Sequence, residues 1–354
     1  MTEEKRYKVL VVGPSSQHVA NYVDRISNDI FDIEIITSAL GSLPEGTSFT
    51  KVDFSLKHPK SFFGTPAIIR QRTQEFQPDI IHVHQANSVA YYTLRGAAGS
   101  KIPIVLSAWG SDILINPKKS KVLRWMVRYI LKRVDLITSN SHHMAAQVQN
   151  LLPERNLDIE ICNFGVAELD VDTSKEKIVY SNRAHEPLYR IDKVISAFHQ
   201  FVSSREDGRE WQLIVAGKGS QTENLKAQVN ALELKNQVRF IGFVDTRKNI
   251  ENYAKAKVYI SLPESDAAAV SLMESMYYRC LPVAYNLPAS REHLTDGENG
   301  ILVDDLNENM IARVLELDSE DLLTRNHAHI RDEQTVKVSR KRFKEVLLRG
   351  LASR

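Results

Sequence analysis

An α/β fold of two doubly wound parallel-sheet domains facing a cleft is predicted by two features of the chain. Short apolar runs alternate with amphipathic stretches throughout, and the series restarts after a polar segment near the middle. Strands separated by helical stretches imply parallel sheets covered on both faces. In the first half the runs are 8–12, 33–36, 80–83, 102–106, 136–137 and 159–161. In the second half they are 177–180, 212–215, 238–241, 258–260, 282–285 and 301–303. The polar segment 167–176 reads as a linker, which places Rossmann-like domains at 1–166 and 167–334 with a ligand cleft between them. The tail, 335–354, predicts a helix that sets Val338, Phe343, Val346, Leu347 and Leu351 among many Lys and Arg.

The bulk composition sets limits. A chain of 354 residues is long enough for two cores, and 43% hydrophobic with 25% charged content is ordinary for a soluble globular protein. The formal net charge of +2 gives no footprint for a nucleic-acid partner. Cys162 and Cys280 lie far apart beside apolar runs, so buried free thiols are expected rather than a disulfide. The polar start and the short apolar run after it do not make a signal peptide, and no stretch approaches the ~20 apolar residues of a spanning helix. These points predict a cytoplasmic protein, with peripheral contact at the inner face of a membrane left open.

The most informative stretch begins at the apolar run 258–260. A tight polar loop follows, then a helix expected from near Ala267, with seven residues between Asp266 and Glu274. Free N–H groups at a helix start suit a phosphate. Eight helical residues span ~12 Å, so the two acids grip different parts of one long ligand and cannot share a proton. That arrangement suits a sugar nucleotide. The bare alternative is a helix cap and an exposed helix acid. Arg183 ends the first strand of the second half, where a guanidinium is well placed for a diphosphate or for a surface ion pair. Gly217 and Gly219 also follow a strand, a weak signal by itself.

In the first half, Gly13 through Ser16 and His18 sit at a strand-to-helix turn. The turn lacks the Gly-x-Gly-x-x-Gly spacing of a nicotinamide-dinucleotide site. Trp109, Gly110, Ser111 and Asp112 end another strand, where Asp112 either reaches a ligand hydroxyl or caps the next helix. His82 and His84 alternate onto one sheet face without the further ligands a metal site needs, so a structural pair is expected. His142 and His143 read as the start of a helix. Asp170 and Asp172 match an Asp-x-Asp metal motif in form only, because they lie in the linker. The stretch 118–133 is strongly basic, with Val122, Trp125, Met126, Tyr129 and Ile130 on one helical face. It is either an amphipathic helix packed on its own domain or a surface that lies on an anionic membrane.

The spacing from Asp266 to Glu274 resembles the Glu-x7-Glu motif of retaining glycosyltransferases of family 4. The segment running through Leu281, Arg291, Glu292 and Asp296 to Val303 resembles the same family's downstream pattern. The resemblance runs from the first strand to about Val303. It implies the GT-B architecture, with the donor on the second domain, the acceptor on the first, and the last helix packed back on the first. Glu274 would bind ribose hydroxyls, Asp266 would hold the transferred sugar, and Arg183 would neutralise the leaving diphosphate. The N–H groups near Val270 and Ser271 would assist. Gly217, Gly219, Gly242 and Gly13 would line the donor side, and Asp112, Ser111 and His18 would serve chemistry or the acceptor. The chain departs from the family at several points. Asp266 stands for Glu, Ala267 to Ala269 for glycines, Trp109 for a frequent His, and Tyr189-Arg190 for Lys-Gly, so that Arg190 is expected to take the Lys role.

The resemblance implies a nucleotide-diphosphate sugar, with UDP favoured, and a glycan or lipid-linked acceptor in cell-surface polysaccharide or glycolipid synthesis. It implies neither a metal nor a cofactor. Three other classes stay open: a nucleotide-sugar epimerase, a dinucleotide-dependent oxidoreductase and a non-catalytic sugar-nucleotide-binding subunit.

Overall fold

The computed structural model describes residues 5–27, 30–44, 46–171, 174–268 and 270–352. The chain forms two compact units. Unit 1 comprises residues up to Phe164 and those from Lys337 onward, and unit 2 runs from Gly165 to Val336.

Unit 1 begins β1 (Tyr7–Val12), α1 (Gln17–Ile26), β2 (Phe31–Thr37), β3 (Thr50–Lys51), α2 (Pro59–Phe76), β4 (Ile80–His84) and α3 (Ser88–Gly96). It continues with β5 (Ile104–Ser107), α4 (Ser111–Leu114), α5 (Asn116–Lys119), α6 (Lys121–Leu131), β6 (Leu136–Ser139), α7 (His142–Leu151) and β7 (Ile159–Ile161). The seven strands lie in the order β3-β2-β1-β4-β5-β6-β7, and every pairing is parallel. Strand order reverses between β1 and β4. In an open parallel sheet such a reversal opens a crevice at the carboxyl ends of the strands. Here those ends carry Gly13 and His84.

Unit 2 holds β8 (Glu176–Ser181), α8 (Ile191–Ser203), β9 (Gln212–Ala216), α9 (Thr222–Ala231), β10 (Val238–Gly242), α10 (Thr246–Lys255) and β11 (Ala256–Ser261). Then come α11 (Val270–Tyr277), β12 (Leu281–Tyr285), β13 (Ile301–Val303), α12 (Met310–Glu316) and α13 (Glu320–Glu333). Its six parallel strands run β10-β9-β8-β11-β12-β13, with the reversal between β8 and β11. Alternate strand residues feed two cores. Val179, Val215, Ile260 and Val283 meet α8, α9 and α12 on one face. Tyr180, Ala216, Tyr259 and Ala284 meet α10 and α11 on the other. The even burial of both faces explains why these strands read as apolar runs rather than as alternating ones.

The polar segment after Val166 packs on unit 2 and is no free linker. The Lys175 ammonium donates to the carbonyls of Tyr253 (2.9 Å), Ala256 (2.8 Å) and Tyr278 (2.7 Å). It thereby satisfies orphan carbonyls at the ends of α10 and α11. The final helix, α14 (Val336–Ala352), joins unit 1 and buries Phe343, Val346 and Leu347 in its core. Gly350 lets the helix approach β4 closely, since a Cβ there would sit 2.7 Å from Ile80 Cδ1 and push that side-chain end aside.

Candidate active site

Arg183 and Asp266 extend from the ends of β8 and β11, the two strands that flank the reversal in unit 2. The fold brings them together across 83 residues: Arg183 Nη2 donates to Asp266 Oδ2 at 2.8 Å. Arg183 Nη1 donates to Ser271 Oγ at 2.9 Å, which fixes the guanidinium beside the start of α11. The Tyr189 ring lies under it, 4.6 Å from the guanidinium carbon. Both charged side chains are mostly buried, at 14% and 13% exposed. The pair therefore keeps a strong field close to a helix tip.

Glu274 sits one turn into α11, partly exposed at its edge. Asn249 Nδ2 donates to its Oε2 at 3.3 Å. Burial pushes its carboxyl up to about 7, against the opposing pull of Tyr253, Asn249 and the Arg183 charge. Asn249 belongs to a network beneath the helix. Asn182 Nδ2 donates to Asn249 Oδ1 (2.9 Å) and to Tyr253 Oη (2.8 Å). Tyr180 donates to Asn249 Oδ1 (2.7 Å), Tyr259 to Asn182 Oδ1 (3.1 Å), and Tyr253 to the Ser271 carbonyl (3.0 Å).

The glycines close around the same strand ends. Gly217 has φ +116°, its N–H donates to the Gly242 carbonyl at 2.7 Å, and a Cβ on it would meet the Arg183 carbonyl oxygen at 2.4 Å. A Cβ on Gly219 would meet the His185 carbonyl oxygen, also at 2.4 Å. Phe243, next to Gly242, is 84% exposed, an unusual state for a large apolar ring.

Two expectations for unit 2 change. The Val270 N–H turns back onto the Ala268 carbonyl (2.9 Å), so it is committed locally and does not face a phosphate. The helix starts at Val270 rather than near Ala267; Ala269 lies outside the described residues. Arg190, in a left-handed conformation (φ 49°), does not join Arg183. Its Nε donates to Glu264 (3.2 Å) and its guanidinium covers the Tyr285 ring at 4.7 Å. Its Nη1 is buried without a partner.

In unit 1, Asp112 is buried and already engaged. Its carboxylate accepts from the backbone N–H of Ala86 (2.8 Å), Gly110 (2.8 Å) and Trp109 (3.2 Å). It positions the loops after β4 and β5 and presents no free oxygen to a ligand, which corrects the expectation of a catalytic contact. Ser111, beside it, is exposed. His18 stands on α1 with its ring stacked on Phe164 (5.0 Å) and tilted against Trp109 (4.8 Å). Gly13 is tight against Val19 and His84, and Ser16 caps α1 by accepting from Val19 N–H (3.3 Å). His82 and His84 are buried and stacked at 4.8 Å, with His82 bonded to Tyr22 and to Ser107 (2.8 Å). Among the described residues no group of three or more His, Cys, Asp or Glu is placed to hold a metal ion. Asp170 is exposed, and Asp172 lies outside the described residues.

Two family models cover most of this chain. "Glycosyl transferase 4-like" matches residues 8–141, and "Glycosyl transferases group 1" matches 166–331. Each unit is a glycosyltransferase-family domain. The pair makes a GT-B glycosyltransferase scaffold. Among solved structures, the Anabaena Alr3699/HepE protein in complex with UDP-glucose superimposes with a TM-score of 0.76 at 16% identity, covering 97% of this chain and 99% of that one. Among curated proteins, the poly(glycerol-phosphate) alpha-glucosyltransferase of Bacillus subtilis is 28% identical over 40% of this chain and 20% of its own length. The alpha-monoglucosyldiacylglycerol synthase of Streptococcus pneumoniae is 24% identical over 65% of this chain and 56% of its own length. The chain thus spans a fifth and just over half of the lengths of these two relatives.

On this GT-B scaffold the unit 2 positions Arg183, Asp266, Ser271, Glu274, Gly217, Gly219 and Gly242 gather at the strand ends. Gly13, His18 and Ser111 belong to unit 1. Sequence reasoning missed Tyr189, Asn182, Asn249 and Tyr253. Tyr189 was legible as the aromatic that stands where Lys is usual. The other three carry no local signal, since Asn182 meets Asn249 and Tyr253 across 67 and 71 residues of chain.

Proposed function

We propose that the protein is a retaining glycosyltransferase, moving a sugar from a UDP-sugar to a hydroxyl of a glycan or lipid-linked acceptor. One observation carries this reading: Arg183 is fixed between Asp266 and Ser271 at the start of the helix that also presents Glu274. A donor diphosphate displaces Asp266 as the partner of Arg183, which frees that carboxylate for the hydroxyls of the transferred sugar. Glu274 accepts from the ribose hydroxyls, and the exposed Phe243 ring stacks on the base.

The bond from the sugar's anomeric carbon to the diphosphate oxygen breaks, and Arg183 holds the charge that develops on that oxygen. Such preorganised stabilisation is the dominant form of catalysis when charge develops on a leaving group. The acceptor oxygen forms the new bond on the face the diphosphate leaves, and its proton goes to the departing diphosphate. Arg183 does the work a metal would do, so the reaction needs none. The word "alpha" in the names of both curated relatives and the UDP-glucose of the Anabaena structure support retention and a UDP donor. We place the activity in cell-surface polysaccharide or glycolipid synthesis, at the cytoplasmic face of a membrane.

The test is thermal stabilisation by UDP, GDP, ADP, UDP-glucose and NAD, since a ligand that binds only the native state raises apparent stability. UDP and UDP-glucose should stabilise the protein, and Glu274→Ala should abolish the effect. With a donor and acceptor in hand, Arg183→Ala should lower kcat by about 100- to 1000-fold. Stabilisation by NAD alone, or full activity in both variants, overturns the assignment.

A further inference from the structure

The turn that leads from β8 into α8 carries a strained residue that the proposed transfer chemistry leaves unused. Arg190 has φ 49° and ψ 44°, a left-handed conformation that a residue with a Cβ enters at a cost. Strain of this kind persists where the surroundings over-determine it, and here they do so on several sides. Arg190 N–H donates to the Pro187 carbonyl at 3.2 Å, and Tyr189 N–H to the Glu186 carbonyl at 2.9 Å. The Arg190 guanidinium covers the Tyr285 ring at 4.7 Å, and its Nε donates to Glu264 at 3.2 Å. Glu264 N–H in turn donates to the Leu188 carbonyl at 2.9 Å. The turn is thereby tied to the loop that carries Asp266.

A chain fixed in this way sends two consecutive side chains to different places. Arg190 goes to Tyr285 and Glu264. Tyr189 packs on the core that α8 covers and offers its ring face to Arg183, 4.6 Å from the guanidinium carbon. The other two partners of Arg183 meet it at the edge, where its N–H groups point: Asp266 lies 2.8 Å from Nη2 and Ser271 Oγ 2.9 Å from Nη1. A donor diphosphate needs that edge and displaces Asp266 from it. The single hydrogen bond to Ser271 does not fix a plane, because the guanidinium can turn about it. A ring against the face does fix the plane, and it consumes no N–H donor. An uncharged ring also leaves the positive charge uncancelled, as a carboxylate does not.

We propose that Tyr189 is a positioning residue for Arg183. Its ring holds the guanidinium plane once the donor has displaced Asp266, so that the β-phosphate meets a cation already in place. This role rests on the transfer site proposed above. It works through the ring face, so it needs an aromatic side chain and not the hydroxyl. It works through Arg183, so it vanishes when Arg183 does.

Titration calorimetry of the full chain with UDP and with UMP isolates the contact, because the two nucleotides differ by the β-phosphate. The ratio of their affinities should fall about five- to tenfold in Tyr189→Leu, with UMP affinity and melting temperature close to wild type. Tyr189→Phe should keep the wild-type ratio. Arg183→Ala should lower the ratio by itself, and adding Tyr189→Leu to it should change the ratio by less than about twofold. Three results overturn the role of the ring while leaving the transfer site standing. They are a wild-type ratio in Tyr189→Leu, including one in which both nucleotides weaken equally, an equal loss in Tyr189→Phe, and an undiminished effect of Tyr189→Leu in the Arg183→Ala background. A wild-type protein that does not bind UDP overturns both.

Discussion

Glu274 is the residue whose environment makes the sharpest statement. Tyr253, Asn249, Tyr180, Tyr259 and the Arg183 charge surround it, and burial lifts its carboxyl from about 4.5 to about 7. A carboxyl raised by folding is favoured in its protonated form. Its contribution to stability is therefore full below pH ~4.5 and is lost as pH rises through about 7. Ribose hydroxyls donate to the ionised form, so UDP binding should run the other way. Titration calorimetry should show UDP affinity several-fold weaker at pH 6 than at pH 8. Glu274→Gln should remove that slope, leaving only the nucleotide's own titration. The same variant should be more stable than wild type above pH 7 by on the order of 1–3 kcal/mol in urea, with the gap closing toward pH 5. An identical slope in the Gln variant would show that Glu274 does not meet the ribose. The sequence revealed Glu274 through its spacing from Asp266. It could not reveal Asn249 or Tyr253, which oppose the rise of the Glu274 carboxyl from another helix.

At the scale of elements, legibility follows burial. Among the described residues, twelve of the thirteen strands appear in the sequence as apolar runs because both sheet faces are covered. The exception, β3, is two residues long at a sheet edge, Thr50–Lys51, where one pairing suffices and no apolar pattern is needed. The basic stretch 118–133 is two helices rather than one, because Ser120 turns extended and caps α6 by accepting from Val122 N–H at 3.2 Å. Asp112 was legible as a strand-end acid, but its role depends on Ala86 N–H, 26 residues earlier. The loops hold the remaining constraints. Gly217 combines φ +116° with a backbone oxygen 2.4 Å from any Cβ. Gly217→Ala should cost more than about 2 kcal/mol, from left-handed strain and displacement of the Arg183 carbonyl together. Gly46 separates the two effects, since it has φ +83° and nothing within 4 Å. Gly46→Ala should lose only the conformational part, about 1 kcal/mol, and keep UDP binding intact. Equal urea midpoints for the two variants would mean that the Gly217 contact is not rigid.

For the molecule as a whole, chain order and structural unit do not coincide. The chain leaves unit 1 after Phe164 and returns at Lys337. The leaving and returning segments lie side by side, with Val166 N–H donating to the Gln334 carbonyl (2.7 Å) and Val336 N–H to the Val166 carbonyl (2.9 Å). Beyond that bridge α14 supplies unit 1 with Phe343, Val346 and Leu347, and Ser339 donates to the Asn163 carbonyl at 2.6 Å. At about 1.5–3 kcal/mol for each fully buried apolar side chain, the helix contributes on the order of 5 kcal/mol or more to unit 1, comparable to the net stability of a domain. Removing residues from 337 onward should therefore lower the melting temperature of unit 1 sharply. It should leave unit 2 folded, because every strand and helix that carries Arg183, Asp266 and Glu274 precedes the cut. Calorimetry of the truncated chain should show two separated transitions, with UDP raising only the upper one. A single transition that UDP shifts as a whole would show that the two units unfold together and that α14 is not what holds the first of them.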